Sequence, residues 1–412
     1  TGLKSWETAC CVLRQEIGPE DTMTNGERFG LTEEEQMLQD MCRRLAREKV
    51  APGAEERDRT GEYSYEMLDL MRENGLMGVD FPAEYDGMDA GMIAHCIVVE
   101  VLAKADASVA LIPSCQELGS LPIILAANHE QKEKYLKPLA TGEKVAAFAL
   151  TEARGGSDVA ALKTRAVRKG DKYILNGAKM FITNGGVADT IAVYAVTDPD
   201  APPHPGGSVF IVEKDYPGFS AAKEESKLGI RSSDTRELII DDVEVPAENL
   251  LGEEGDGFHI MMKTLDFSRP SVAAQALGIA AGAFEYATQY AKDRDSFGVP
   301  IIQHQGISFK LADMAMKITA ARQLLYKTCD LLDSRVKKDL TRVPPEVVRH
   351  SSMSKAYCSD VAMWTTIEAV QILGGYGYMT EYPLERMMRD AKITQIYEGT
   401  NEIQRIVIAS TL

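Results

Sequence analysis

The stretch Arg389–Arg405, RDAKITQIYEGTNEIQR, sets one carboxylate, Glu398, between Tyr397 and Gly399, just ahead of a helical run from Thr400. A carboxylate on a turn, backed by a helix start, suits a general base; the same Glu-Gly-Thr-Asn run also serves as a plain helix break followed by a cap. Four more constellations carry chemistry. Leu150–Asp158 (LTEARGGSD) follows a strand-length run and sets Thr151 and Ser157 around two adjacent glycines. Their backbone N–H groups can approach an anion or a ring edge, or simply turn the chain. Lys179–Gly186 (KMFITNGG) places Phe181 and Thr183 at a strand end. There an aromatic can stack on a planar cofactor and a hydroxyl can bond it, and a core Phe before an Asn-Gly turn fits the spacing equally well. Arg294–Gly298 (RDSFG), with Gln305 downstream, ends a helix on an Arg. Such an Arg stabilises the helix C-terminus or clamps a phosphate. Gln371–Tyr378 (QILGGYGY) ends a helix on Gly374, Gly375 and Gly377, which invites close backbone approach by a pyrophosphate.

These residues need elements to hold them. Residues 31–140 read as helices: an N-cap at Leu31–Glu35 with an apolar face ending at Pro52-Gly53, then Tyr65–Glu73, Met92–Leu102, Ser108–Ala127 and Glu130–Leu139. From Lys144 the period changes. Val145–Leu150, Tyr173–Leu175, Met180–Ile182, Thr190–Val196, Val209–Val212 and Glu237–Val245 are short runs rich in Val, Ile, Tyr and Phe. Strands so spaced, without helices between them, predict an antiparallel barrel or sandwich, with Pro202–Gly207 as a surface loop. From Gly255 helical spacing returns over Phe258–Arg294, Gln303–Arg335, Pro345–Leu373, Leu384–Tyr397 and Asn401–Leu412, with an Ala-rich face suited to a bundle.

Composition narrows the function classes. The 412 residues carry 45 Lys+Arg against 62 Asp+Glu, a net charge of −17, which argues against nucleic-acid binding by bulk electrostatics. The seven cysteines form no CxxC pair and read as reduced, buried thiols; the six histidines form no metal-binding pair, so no metal is expected. No apolar run reaches the ~18–20 residues that span a bilayer, so no membrane insertion is expected. No GxGxxG follows a strand, so a nucleotide cofactor would not bind in the Rossmann manner. Residues 1–29 read as a flexible extension.

On Ala149–Glu152 with Gly156–Asp158, Lys179–Gly186, Lys227–Arg231, Asp266–Arg269 with Val272–Gly278, Arg294–Gly298, Gln371–Gly377 and Arg389–Gln404, the chain resembles the acyl-CoA dehydrogenase family. The resemblance runs from residue 30 to 412 and is strongest to short-chain, butyryl-CoA type members. It implies an α+β multidomain fold: an N-terminal all-α domain (30–142), a middle antiparallel β-barrel domain (143–252) and a C-terminal four-helix-bundle domain (253–412). It implies FAD, with Phe148, Leu150, Thr151 and Ser157 along the flavin and adenosine side and Phe181 and Thr183 flanking the ring. Arg294, Phe297 and Gln305, completed by Gln371, Gly374 and Gly375, would hold the diphosphate and adenine of FAD bound mainly to a neighbouring subunit. Thr400 and Glu402 would lie beside FAD. Shared cofactors imply an oligomer, a homotetramer built as a dimer of dimers.

Glu398 matches the family's catalytic base, which takes the α-proton of the thioester while the β-hydride passes to flavin N5. Asp266, Arg269 and Ser157 match the CoA side of the substrate site. Tyr376, Tyr397 and Gly399 match the acyl side, together with the Val109–Gly119 helix. Pro113, Cys115, Gln116 and Glu117 make that helix more polar and more broken than a butyryl pocket requires. Either Gln116 and Glu117 face away, or the acyl group is cyclic or functionalised. No Arg on this helix pairs with a substrate carboxylate, which weighs against a glutaryl group. The implied activity is dehydrogenation of a short-chain acyl-CoA, with electrons passed to electron-transferring flavoprotein. An acyl-CoA oxidase or an enoyl-CoA reductase on the same fold is the alternative. The expected location is the cytoplasm of a bacterium or the mitochondrial matrix of a eukaryote.

Overall fold

The computed structural model describes residues 30–201, 206–336 and 343–412; the expected extension and Pro202–Pro205 lie outside them. Thr32 opens helix α1 (Glu33–Leu45) with a reciprocal cap: Glu35 N donates to Thr32 Oγ1 at 3.2 Å and Thr32 N to the Glu35 carboxylate at 2.7 Å. Acids in the first turn and Arg43 and Arg44 in the last suit the helix dipole. Pro52-Gly53 does not end the helical path. The chain continues through a π turn (Ala46–Val50) and a 3-10 turn (Ala51–Gly53) into α2 (Ala54–Thr60). Pro52 is tolerated because it sits in the first turn of a new segment, where its missing N–H had no partner.

Helices α3 (Tyr65–Glu73), α4 (Gly91–Ala105), α5 (Ala107–Ala126) and α6 (His129–Ala140) complete the first domain. Asp106 caps α5 by accepting from Ser108 N at 2.9 Å, and Arg57 of α2 holds the same carboxylate at 2.8 Å. Contrary to the sequence expectation, α5 is long and apolar enough by length and composition to cross a membrane. It is buried within the protein, and its apolar surface packs on α4, α6 and the sheet. Gln116 faces away from the bundle: its Nε2 donates to Leu139 O (2.7 Å) and Lys144 O (2.9 Å), and its Oε1 accepts from Ala146 N (3.0 Å). One side chain thus fastens α5 to α6 and to the first strand.

The middle domain is one eight-stranded sheet in the order β6-β7-β3-β2-β4-β5-β8, with β1 paired to β4. Its strands are β1 (Ala146–Ala149), β2 (Arg165–Lys169), β3 (Lys172–Thr183), β4 (Thr190–Asp198), β5 (Gly206–Glu213), β6 (Phe219–Glu224), β7 (Thr235–Pro246) and β8 (Leu250–Leu251). The sheet is not a closed barrel, and the β1–β4 pairing is parallel. The two runs expected at 173–182 are one strand. Its register against β7 shifts between Lys179 and Ile182, a bulge that bends the strand where Phe181 sits.

The third domain is built on α7 (Gly257–Asp293), 37 residues long, against which α4, α5 and α9 pack. Its close fit to α4 needs glycine: a Cβ at Gly278 would lie 2.2 Å from Glu100 O, and one at Gly282 would lie 2.6 Å from Lys104 O. A two-strand ribbon, β9 (Asp295–Ser296) and β10 (Val299–Pro300), joins α7 to α8 (Gln305–Leu331). Helices α9 (Pro345–Leu373), α10 (Pro383–Ile393) and α11 (Asn401–Ser410) follow.

Candidate active site

Glu398 lies in the short connection between α10 and α11, and its backbone is left-handed (φ 53°), a conformation that costs a non-glycine residue free energy. Three side chains hold it there. Thr400 caps α11, accepting from Ile403 N at 3.4 Å. Gln404, one turn into that helix, donates to both Glu398 O and Gly399 O at 3.0 Å. Buried Lys355, from α9, donates to Gly399 O at 2.7 Å and to Asn401 Oδ1 at 3.0 Å. Gly399 (φ 91°) has no room for a side chain, since a Cβ there would meet Gln404 Nε2 at 2.7 Å. Among the described residues no acceptor takes the Glu398 N–H.

The carboxylate points at α7. Ser268 Oγ donates to Glu398 Oε2. Arg269 is buried and paired with Asp266 at 2.7 Å. Pro270 follows inside the helix and lacks the N–H that would bond the Asp266 carbonyl; Ser351 Oγ of α9 donates to that carbonyl instead, at 2.7 Å. The proline break is therefore satisfied from outside, at the level of the base.

Burial raises the Glu398 pKa; the Ser268 hydrogen bond and the positive charges of Arg269 and Lys355 oppose the rise without cancelling it. Burial pulls Lys355 down to about 7 against the attraction of Glu398, and lifts Asp266 to about 6 despite Arg269. An acid lifted out of its ordinary range and held between a hydroxyl and two cations is suited to take up and return a proton.

The two β-domain loops meet each other. Met180 N donates to Thr151 O at 2.9 Å. Buried Lys179 reaches Leu150 O at 3.0 Å and the Glu152 carboxylate at 2.7 Å. Burial works to raise the Glu152 pKa, but Lys179 and the Thr164 and Lys163 contacts hold it below the usual carboxylate value. The Cys115 thiol of α5 lies within the electrostatic reach of both Thr183 of β3 and Glu398, so these elements approach one another around it. The bulge leaves Phe181 62 % exposed with φ 58°. Tyr397, on the other side, donates to Gln275 of α7.

A second hollow, of about 450 Å³, lies elsewhere and is lined by Arg294, Ser296, Gly375 and Tyr376 among others. Arg294 stands 5.6 Å over the Tyr376 ring. The glycine turn after α9 carries Tyr376, expected on the acyl side with Tyr397, to the Arg294 side, between Tyr290 and Tyr382. Gly374 (φ 61°) and Gly375 have nothing within 4 Å of a would-be Cβ, and Phe297 is 95 % exposed. Gln305, Gln371 and Glu402 are exposed as well, as is Ser157 in the loop after β1, while Phe148 is half-buried at the sheet edge.

Family profiles match three consecutive segments: acyl-CoA dehydrogenase N-terminal domain over 32–143, middle domain over 147–243 and C-terminal domain over 255–412. The chain belongs to the acyl-CoA dehydrogenase family. It is 46 % identical over 387 residues to the short-chain specific acyl-CoA dehydrogenase of Clostridium acetobutylicum, covering 93 % of this chain and 99 % of that one. A chain in the structure described as the electron transferring flavoprotein of Acidaminococcus fermentans superposes with a TM-score of 0.88 at 48 % identity, covering 92 % of this chain and 98 % of that one. The acyl-CoA dehydrogenase of Bacillus anthracis, solved in complex with FAD, superposes with a TM-score of 0.84 at 38 % identity over 96 % of this chain and 68 % of that one.

This acyl-CoA dehydrogenase is a flavin-dependent oxidoreductase, and FAD is its cofactor. The residues present fit that group. Thr151 is tied by its carbonyl to the strand that carries Phe181 and Thr183, Phe181 has an open ring face, and the bare Gly374-Gly375 backbone suits a diphosphate. Sequence reasoning missed Ser268, Lys355, Gln404 and Lys179. The one signal for Lys355 was a lone lysine among small residues, Ser-Ser-Met-Ser-Lys-Ala, a pattern that reads as an ordinary amphipathic helix.

Proposed function

We propose that the protein catalyses α,β-dehydrogenation of a short-chain acyl-CoA thioester to the trans-2-enoyl-CoA, with electrons passed on to electron-transferring flavoprotein. FAD, when bound, supplies the hydride acceptor. The chain's own residues do the rest. The Glu398 N–H is open to receive the thioester carbonyl, a hydrogen bond that acidifies the α-C–H. The Glu398 carboxylate takes the α-proton, Ser268 orients it, and Arg269 and Lys355 favour its ionised form against the burial that raises its pKa. Asp266 and Ser157 are assigned to the CoA side, and Phe148, Leu150, Thr400 and Glu402 to the FAD side. Arg294, Phe297, Gln305, Gln371, Gly374 and Gly375 are assigned to FAD of a neighbouring subunit in a homotetramer. The observation that carries the reading is the buried Glu398 carboxylate, its pKa raised, on a strained turn facing Ser268. Short-chain preference is supported by the likeness to the Clostridium acetobutylicum enzyme. The test is anaerobic bleaching of the flavin by acyl-CoAs of four to eight carbons, with branched and cyclic thioesters beside them. Bleaching is expected to be fastest at the short end, and a flavin that no acyl-CoA bleaches contradicts the proposal.

A further inference from the structure

The acyl-pocket helix α5 carries a feature that a hydrocarbon substrate does not explain. Glu117 is fully buried, and among the described residues neither of its carboxyl oxygens has a hydrogen-bond partner. Its Oε2 lies 3.4 Å from His95 Nε2 of α4, but that nitrogen is hydrogen-bonded to Ser271 Oγ of α7 at 2.9 Å. Ser271 in turn donates to Ser114 Oγ at 2.8 Å, one turn before Glu117 on the same helix face. One turn before Ser271 on α7 is Ser268, the partner of the catalytic base. A polar strip thus runs from Glu398 to Glu117; near its far end Asp80 Oδ1 lies 3.7 Å from His95 Nδ1, and among the described residues neither it nor Ser120 Oγ has a hydrogen-bond partner. Gln116, by contrast, uses its whole amide on α6 and β1.

The charges felt by Glu117 are those of Asp80, Glu398 and Cys329, all anionic when ionised. Burial, and after it these charges, raise its pKa well above the usual carboxylate value and favour the neutral acid, which has one O–H donor and one acceptor oxygen. A distal carboxylate on the substrate would meet no cation here. An alkyl end would leave both Glu117 oxygens without a partner.

We propose that Glu117, with His95 and Ser114 beside it, determines acyl specificity, and that the preferred acyl group carries an uncharged oxygen, hydroxyl or carbonyl, at its distal end. This rests on the dehydrogenase reading above. The test compares 4-hydroxybutyryl-CoA with pentanoyl-CoA, which replaces the hydroxyl by a methyl of similar size. The FAD-loaded wild type is expected to favour the hydroxylated thioester at least about tenfold in kcat/KM. Glu117→Leu is expected to reverse that preference, and Glu117→Gln, which keeps volume and hydrogen bonding, to retain part of it. Titration with the two enoyl-CoA products is expected to show the same order of preference in dissociation constants, independently of turnover. A wild type that favours pentanoyl-CoA, or a Leu variant that shifts both thioesters equally, overturns the inference and leaves the dehydrogenase reading intact. If Glu117→Leu does not fold, the wild-type ratio and the Gln variant decide. A flavin bleached by neither thioester nor by butyryl-CoA overturns both.

Discussion

At the scale of the residue, Glu398 works because its surroundings set opposing influences on one proton. Burial raises its pKa, and the Ser268 hydroxyl, bonded to the ionised form, lowers it. Activity should therefore rise with pH through an inflection above the ordinary carboxylate range, because only the ionised form accepts the α-proton. Ser268→Ala removes a lowering influence, so the acid limb of kcat/KM should move to higher pH. A pH profile checks this, and an unmoved limb would show that Ser268 does not act on the base. Glu398 itself was legible in the sequence because its neighbours announce a turn and a helix cap. Ser268, Lys355 and Gln404 were not, because their roles depend on which helices cross. Ser268 reaches Glu398 across 130 positions of sequence, and Lys355 reaches Gly399 across 44.

At the scale of the element, most of the helices were legible, since their apolar spacing and caps are local, while Ala54–Thr60 past Pro52-Gly53 was not. Tyr65–Glu73 and Pro345–Leu373 match the expected bounds. The sheet was less so. Strand β2 (Arg165–Lys169) has one buried residue among five, so it carries no apolar alternation to read, and β6 has no fully buried residue. Strand β3 looked like two runs because Asn176-Gly177 and the bulge at Met180-Phe181 interrupt its pattern. The joint between α5 and the sheet is a testable element. Gln116→Ala takes its partner from the Lys144 carbonyl and from the Ala146 N–H, while Leu139 O keeps Gly142 N, and should cost about 2 kcal/mol of stability at roughly 1–3 kcal/mol per group. Urea unfolding of the holoprotein measures it. A loss below ~1 kcal/mol would mean that water replaces the amide.

At the scale of the whole molecule, the three domains meet at Arg389 and Asp390. Arg389 pairs with Asp58 of α2 at 2.6 Å and with Glu385 at 2.7 Å, and donates to Leu228 O at 3.0 Å. Asp390 accepts from Ile230 N, and a Cβ at Gly229 would lie 2.5 Å from the Arg389 backbone. The motif Lys227–Arg231 is thus a domain joint. Burial lifts Asp390 to about 7, against the Ile230 hydrogen bond. Its folded pKa lies above the unfolded one, so the folded state binds the extra proton. Asp390 therefore favours folding at low pH, and that contribution is lost as pH rises from about 4 to 7. Asp266, lifted to about 6, acts in the same direction. Asp390→Asn should make stability decline less over that window, as read by urea midpoints at several pH values; an unchanged decline would exclude a protonated Asp390 from the joint.

The central claim is that Glu398 takes the α-proton. Its most direct test is anaerobic mixing of FAD-loaded Glu398→Gln with butyryl-CoA, followed by flavin absorbance. The variant should bind FAD as the wild type does, because Thr151, Phe181 and Thr183 are untouched. Flavin bleaching should slow by about 10²–10⁴-fold or more. Bleaching at close to the wild-type rate would contradict the account.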